Sequence, residues 1–273
     1  MNDRVLHMTR SHVFLTLICA LVAAMPAMTR AQQALAPTVA PAAAAIDPKA
    51  DEVLKKMSAT LKASKSFSFS AHAIVDQATP DGQKIQYAKN QKVQLRRPDK
   101  LAADVVGDLD DLQFRYDGKR VTLFNPRTRS YGSADAPATI EDMLDMLAQK
   151  YGMVVPLADL AFSDPYKCLT ENVRSGQYIG SGYVGDTKCD HLAFRGGAVD
   201  WQIWIDQGDK PFPLKIVITF KDSPGYPQYT AFLSDWNLDA QAPDSAFEFS
   251  PPADAKKVEF APTTRPFAAP EKP

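Results

Sequence analysis

The chain has 273 residues, 31 basic and 32 acidic, for a formal net charge of −1. That balance excludes the electrostatic footprint of a nucleic-acid binder or of a protein held on an anionic membrane surface. Hydrophobic residues make up 45% of the chain, enough for a real core in one large domain, and beyond residues 1–31 no run is apolar enough to span a membrane.

The chain opens on an export signal. Arg4 and Arg10 form a basic start, and residues 13–24 (VFLTLICALVAA) are an unbroken apolar run ended by Pro26. About a dozen apolar residues suit the h-region of a secretory signal and are too few to cross a bilayer. The small residues around Thr29 and Ala31 place cleavage after Ala31, with Ala27 as the alternative, so residues 1–31 read as a signal peptide. Cys19 follows the bulky Ile18 inside the apolar run, which is not how a lipidated cysteine is presented. The mature protein is expected to be periplasmic, with no transmembrane segment. Cleavage removes Arg4, Arg10, Arg30 and Asp3, leaving a net charge of about −3. Residues 32–46 (QQALAPTVAPAAAAI) are an Ala/Pro-rich linker expected to be extended and disordered. Residues 263–273 are expected to be a disordered tail. One domain should fill residues 47–262.

Asp47 and Pro48 supply an N-cap and a first helical residue, and Ala50, Val53, Leu54, Met57 and Leu61 follow at helical spacing. The period then changes to two: Phe67, Phe69, Ala71, Ala73 and Val75 alternate with Ser68, Ser70 and His72. Asp81-Gly82, Pro98-Asp99, Asp117-Gly118 and Asn125-Pro126 punctuate a meander of five or six strands that runs to Tyr131. Thr139 with Asp142 reads as a capping box, Ile140, Met143, Leu144, Met146, Leu147 and Tyr151 as one apolar stripe, and Gly152 as a C-cap. A second short helix is expected over residues 156–162, and an irregular or helical stretch over 164–174. Strands resume at 177–184, 191–195, 200–206, 214–221 and 229–239, with a last edge near Phe247 and Phe249. About eleven antiparallel strands in one sheet must curl, because sheets twist. The concave face then needs a cover, and the mid-chain helices are available for it. The predicted fold is mainly β within the α+β class: a curved antiparallel half-barrel with helices over its concave face.

Several stretches carry a family resemblance: CDHLAFR at 189–195, DWQIWI at 200–205, PLKIVIT at 213–219, RPDK at 97–100, YDG at 116–118, PLADL at 156–160 and Asp164-Pro165. In that pattern the chain resembles the domain of unknown function 2092 (DUF2092) family of predicted periplasmic proteins. The family is similar in turn to the LolA/LolB/LppX-like superfamily. The resemblance implies a LolA-like half-barrel closed by helices around an apolar cavity, which the superfamily's known members use to carry lipoproteins or lipids between membranes. It implies no catalytic residue.

The residues themselves offer little chemistry. The mature chain holds two histidines, His72 and His191. His72 shares a face with Ser68 and Ser70, opposite the phenylalanines, and His191 shares one with Ala193 and Arg195. A metal site from Cys168, Cys189 and His191 lacks a further ligand, and its thiols face an oxidising compartment. Gly180, Gly182 and Gly185 match GxGxxG in form, but a strand rather than a helix follows, so they read as strand-bend glycines. No GxSxG, HExxH or P-loop pattern occurs. The cluster Arg96-Arg97-Pro98-Asp99-Lys100 reads as a solvated strand end. Neither catalytic residue, metal nor cofactor is expected, and a hydrolase stands as the remote alternative. Cys168 and Cys189, the two cysteines left after export, are expected to form a disulfide, with two buried thiols as the alternative. The candidate cavity and lid residues are Met143, Leu144, Met146 and Leu147 on the helix, with Trp201, Ile203, Ile205, Ile216 and Ile218 on the strands. Each also reads as ordinary core. The expected function is to bind or carry a lipid or acyl chain. The alternative is an envelope protein-interaction module with a filled core.

Overall fold

The computed structural model describes residues 46–260; the expected signal peptide, most of the linker and the tail lie outside the described residues. After helix α1 (Pro48–Ala63) come β1 (Ser66–Ala78), β2 (Lys84–Arg96), β3 (Lys100–Gly107), β4 (Asp111–Tyr116), β5 (Arg120–Asn125) and β6 (Ser130–Asp135). Then follow α2 (Ile140–Tyr151), a single 3-10 turn (Ala158–Ala161), and α3 (Pro165–Thr170). The second run of strands is β7 (Val173–Val184), β8 (Thr187–Gly196), β9 (Val199–Asp206), β10 (Pro213–Phe220) and β11 (Gln228–Asn237), and a two-residue β12 (Lys256–Lys257) closes the chain.

All twelve strands form one open, curved sheet in the order β12-β6-β5-β4-β3-β2-β1-β11-β10-β9-β8-β7. Every pairing is antiparallel except β12 with β6. The strand count exceeds the expected eleven by this short edge. The expected strand at Phe247 and Phe249 does not form. Pro243, Pro251 and Pro252 remove ladder donors around it. Phe247 instead follows a 3-10 turn (Asp244–Ala246), and Phe249 packs on Phe124 and Tyr131 with ring centroids 5.4 and 5.2 Å away. Ile46, at the boundary between the expected linker and the domain, bridges to Gly176 of β7 and packs on the core.

The strand order dictates how the concave face is covered. β6 and β7 lie near opposite edges of the sheet, so the connection between them, residues 136–172, has to cross its full width. It carries α2, the 3-10 turn and α3 across the face that the alternating residues of the strands line. Helix α1 covers part of the same face, starting beside β7 and ending at the central β1. Its cap forms as the sequence predicts: the Asp47 carboxylate accepts from the backbone of Lys49 (2.7 Å) and Ala50 (3.2 Å). The α2 cap also forms, with Thr139 Oγ1 accepting from Asp142 N at 3.1 Å and donating to its carboxylate at 2.7 Å. Gly152 ends α2 with φ 62°, a left-handed conformation that glycine adopts without a Cβ penalty. One device was not legible. Asp235 takes φ 53° in β11 and shifts the register against β1, and Trp236 then stacks on Phe69 (4.7 Å) at the core.

The cluster at residues 96–100 is more than a solvated strand end. The Arg97 guanidinium donates to three carbonyls, those of Leu61 (3.1 Å), Ser64 (2.7 Å) and Phe162 (2.7 Å). Beside it, Ile140 N donates to Pro98 O at 2.9 Å, and Glu141 accepts from the backbone N–H of Ser163. Both ends of the segment 140–163 are thus tied to one place, the turn between β2 and β3.

Candidate functional site

Two cavities lie under the connection. The first holds about 240 Å³ between the concave faces of β1 to β5 and the segment 153–161. Its walls are Phe67, Phe69, Val93, Leu95, Leu101, Phe114 and Leu123 on the sheet, with Leu144 and residues 153–158 as the cover. The β3–β4 turn (Asp108, Leu109, Asp110) lines the same cavity together with Val154 and Val155. Leu109 is 49% and Val154 62% exposed, so two apolar side chains flank the opening from opposite sides. The second cavity, about 670 Å³, lies toward β7 to β10. Trp201, Ile203, Ile216 and Ile218 form its floor, and Asp159, Glu171, Asn172 and Arg174 give its wall a polar side. Leu157, with φ 69°, borders both.

The expected lining residues divide accordingly. Leu144 reaches the first cavity, and Trp201, Ile203, Ile216 and Ile218 the second. Met143, Leu147 and Ile205 are wholly buried in the core and line neither, and Met146 packs at the core margin. The cover of the first cavity is therefore less α2 itself than the loop that follows it.

The sequence reading passed over the polar floor of the first cavity. Val93 and Leu95 set the phase of β2, and counting back in twos along the register with β1 puts Gln91, Lys89 and Tyr87 on the same face. Gln91 Nε2 donates to the Tyr229 hydroxyl at 2.9 Å, and burial pushes that phenol up to about 12. Lys89 Nζ lies 5.5 Å from the Tyr229 ring centroid and forms no ion pair among the described residues. Burial pulls its ammonium below the usual lysine range, with Asp110 acting in the opposite direction. Lys89 pairs with Gly107, where a Cβ would come within 2.8 Å of the lysine's own Cβ. The glycine is what lets this side chain enter the concave face.

The disulfide expectation is corrected: Cys168 and Cys189 are free thiols. Cys168 lines the second cavity, under the concave face, and its thiol donates to Asp159 at 3.0 Å. Cys189 pairs with Asp206, in phase with His191 and Trp204 and out of phase with the core residues Leu192, Ile203 and Ile205. The sheet itself thus stands between the two sulfurs, whereas a disulfide needs Cα atoms within about 7 Å. Burial first, then the Asp159 contact, raises the Cys168 thiol, so it is a poor nucleophile.

The two histidines among the described residues lie away from the cavities. His191 stacks on Trp204 (3.9 Å) and meets Gln202 Oε1 at 3.0 Å, and the exposed His72 meets Asn90 Oδ1 at 2.9 Å. Among the described residues no three His, Cys, Asp or Glu side chains gather as a metal site, and no helix is long and apolar enough to cross a membrane.

A curved antiparallel sheet covered on its concave face by an edge-to-edge helical connection defines an open half-barrel. The chain belongs to the DUF2092 family of predicted periplasmic proteins, whose pattern matches residues 50–261, and it is periplasmic. None of the curated proteins matches it in sequence. Solved structures similar to it include the lipoprotein LppX of Mycobacterium tuberculosis, at 15% identity and TM-score 0.44, covering 71% of this chain and 98% of that one. LprF of Mycobacterium bovis is similar at 13% identity and TM-score 0.44, over 73% and 98% of the two chains. A LolA superfamily protein of Nitrosomonas europaea is similar at 14% identity and TM-score 0.36, over 73% and 97%.

Proposed function

We propose that this protein binds a lipid or acyl chain in the periplasm and acts as a carrier rather than an enzyme. The observation that carries the reading is the first cavity: an apolar space under a packed sheet, with Leu109 and Val154 exposed at its opening. A sheet that needed only a core would close this space with side chains, since interiors pack at close to crystal density. The aromatic and branched walls suit a flexible hydrocarbon, and exposed apolar groups at an entrance mark a binding site. The thiols and histidines, the groups that could serve nucleophilic chemistry, are raised, stacked or turned outward. Native mass spectrometry of the mature protein recovered from its own periplasm tests this. Lipid-mass adducts that exchange with a fluorescent fatty acyl probe are expected. Protein that is empty on recovery and takes up no probe would refute it.

A further inference from the structure

The lining of the first cavity carries charge in a definite order, and that order names a head group. Lys89 is the single cation among the lining residues, and it projects into the concave face instead of outward to water. Lys84 and Lys221 hold their ammonium on a carboxylate, and Lys215 lies over Trp204 and Phe232 on the opposite face. Lys89 lies over the face of Tyr229 and feels Asp110 only at a distance, with no ion pair among the described residues. An ammonium taken from water without a paired anion is costly, which makes Lys89 a receptor for an anion that arrives with the ligand. Two carboxylates line the same end of the cavity from the β3–β4 turn. Asp108 accepts the Ala88 N–H at 2.7 Å and is itself exposed, and Asp110 has no ion-pair partner among the described residues. Arg127 makes an ion pair with neither: it donates to the Gly107, Asp108 and Leu109 carbonyls and pairs with Asp111, and its charge reaches Asp108 and Asp110 only at longer range. From inside to outside the order is apolar wall, one cation, two anions.

Resting on the reading of a lipid or acyl-chain cavity, we propose that the ligand is a single-chain zwitterionic phosphoester amphiphile. Its phosphate sits on Lys89, its ammonium faces Asp108 and Asp110, and its chain runs along β2 toward Leu95. A purely anionic head would meet two carboxylates at the rim, and a purely cationic one would leave Lys89 without an anion in contact. The phosphate of such a head lies next to the chain and the amine beyond it, the same order as in the protein. Lys89 and Leu95 are six residues apart on a strand that rises roughly 3.3 Å per residue, a run of about 20 Å, the reach of a long acyl group. The cavity, about 240 Å³, is small for a lipid with two long chains.

Calorimetric titration of the mature protein below the critical micelle concentration tests this with three probes sharing one palmitoyl chain. They are lysophosphatidylethanolamine, lysophosphatidylglycerol and the uncharged monopalmitin. The wild type is expected to bind them in that order of decreasing affinity. Lys89→Gln should weaken both phosphoesters about tenfold or more and leave monopalmitin unchanged, and Lys89→Arg should restore part of the loss. The double variant Asp108→Asn, Asp110→Asn should abolish the preference for ethanolamine over glycerol. Monopalmitin binding as tightly as the phosphoesters, or Lys89→Gln weakening all three alike, would overturn the head-group assignment while leaving the lipid reading standing. Wild-type affinity for the glycerol head equal to or above that for ethanolamine would overturn the role of the two carboxylates. Binding of none of the three would sink the lipid reading together with this inference.

Discussion

Replacing Arg97 by Met should destabilise the whole domain by about 3 kcal/mol. The guanidinium makes three charge-assisted hydrogen bonds to carbonyls of three different segments: Leu61 at the end of α1, Ser64 before β1, and Phe162 at the end of the covering segment. Hydrogen bonds to charged groups contribute roughly 1.5–3 kcal/mol each, and a cation over a ring, here Phe67 at 5.3 Å, about 0.5–1 more. Against this stands the cost of desolvation, which also draws the guanidinium below its usual range. Nε is buried with no partner among the described residues, at a cost of roughly 1–3 kcal/mol. Methionine keeps the bulk of the stem, removes the orphaned donor and leaves the three carbonyls to water, so the net loss is about 3 kcal/mol rather than the gross sum. At roughly 2–4 °C per kcal/mol for a domain of this size, Tm should fall by about 6–12 °C. Its neighbour Arg96 is the control. It pairs with the exposed Asp244 and lies over Phe247, so Arg96→Met should cost about 1 kcal/mol or less. Denaturant unfolding of both variants checks the difference. An Arg97→Met variant within about 0.5 kcal/mol of wild type would show that water satisfies those carbonyls as well and that the clamp contributes nothing.

Both cysteines of a chain beginning after Ala31 should react with a thiol reagent in denaturant without reductant, and both should react slowly in the folded protein, where they are shielded. Finding no reactive thiol would overturn their placement on opposite faces. Asp51 accepts from Lys55 at 2.7 Å and from the Tyr166 hydroxyl, joining α1 to α3, and these contacts, Lys55 first, hold its carboxyl below the usual range. A carboxyl depressed on folding stabilises above its unfolded pKa, about 3.9, and loses that contribution as pH falls through the folded value. The Tm difference between wild type and Asp51→Asn should therefore be positive near pH 6 and shrink below about pH 4; a difference that grows as pH falls would refute the sign. Val154→Asp puts a charge on an exposed rim residue, so it should leave stability within about 0.5 kcal/mol and weaken uptake of an acyl probe. Unchanged uptake would place the entrance elsewhere.

The parts of the fold that depend on local rules were legible in the chain. Period-two alternation through Phe67, Phe69, Ala71 and Ala73 and through Trp201, Ile203 and Ile205 gave the buried face of the sheet, and Asp47 and Thr139 gave the helix starts. What escaped depends on pairing between distant strands. The placement of β1 next to β11, which sends β6 and β7 toward opposite edges, is a register fact with no local signature. The disulfide expectation failed for that reason: the parity that puts Cys189 with His191 was readable, but the side of the sheet on which α3 would land was not. Lys89 is a different kind of miss. The phase set by Val93 and Leu95 points it inward, but a charged side chain counts as outward by default. Arg97 was passed over because its three partners lie in segments up to 65 residues away in sequence.

The same topology that covers the cavity also decides how it opens. The covering segment is held at both ends by the β2–β3 turn, through Ile140 N on Pro98 O and through Arg97 on Phe162 O. Helix α2 is fixed along its length by Ile140, Met143 and Leu147, all wholly or almost wholly buried. Swinging the segment as a rigid lid would break the clamp and empty that apolar stripe, at a cost near that of unfolding the region. Between these anchors, residues 153–157 hold few backbone bonds, Met153 N to Leu147 O at one end and Ala158 N to Val155 O and Leu160 N to Leu157 O at the other, and they include the exposed Val154. Local opening is cheapest where buried contacts and backbone hydrogen bonds are fewest. A ligand should therefore enter past this loop, between it and the β3–β4 turn, while α2 stays in place. Hydrogen exchange distinguishes the two routes: fast exchange confined to residues 153–157, slowed by bound lipid, supports loop opening, and lipid-sensitive exchange running through residues 143–150 would instead require the whole segment to swing.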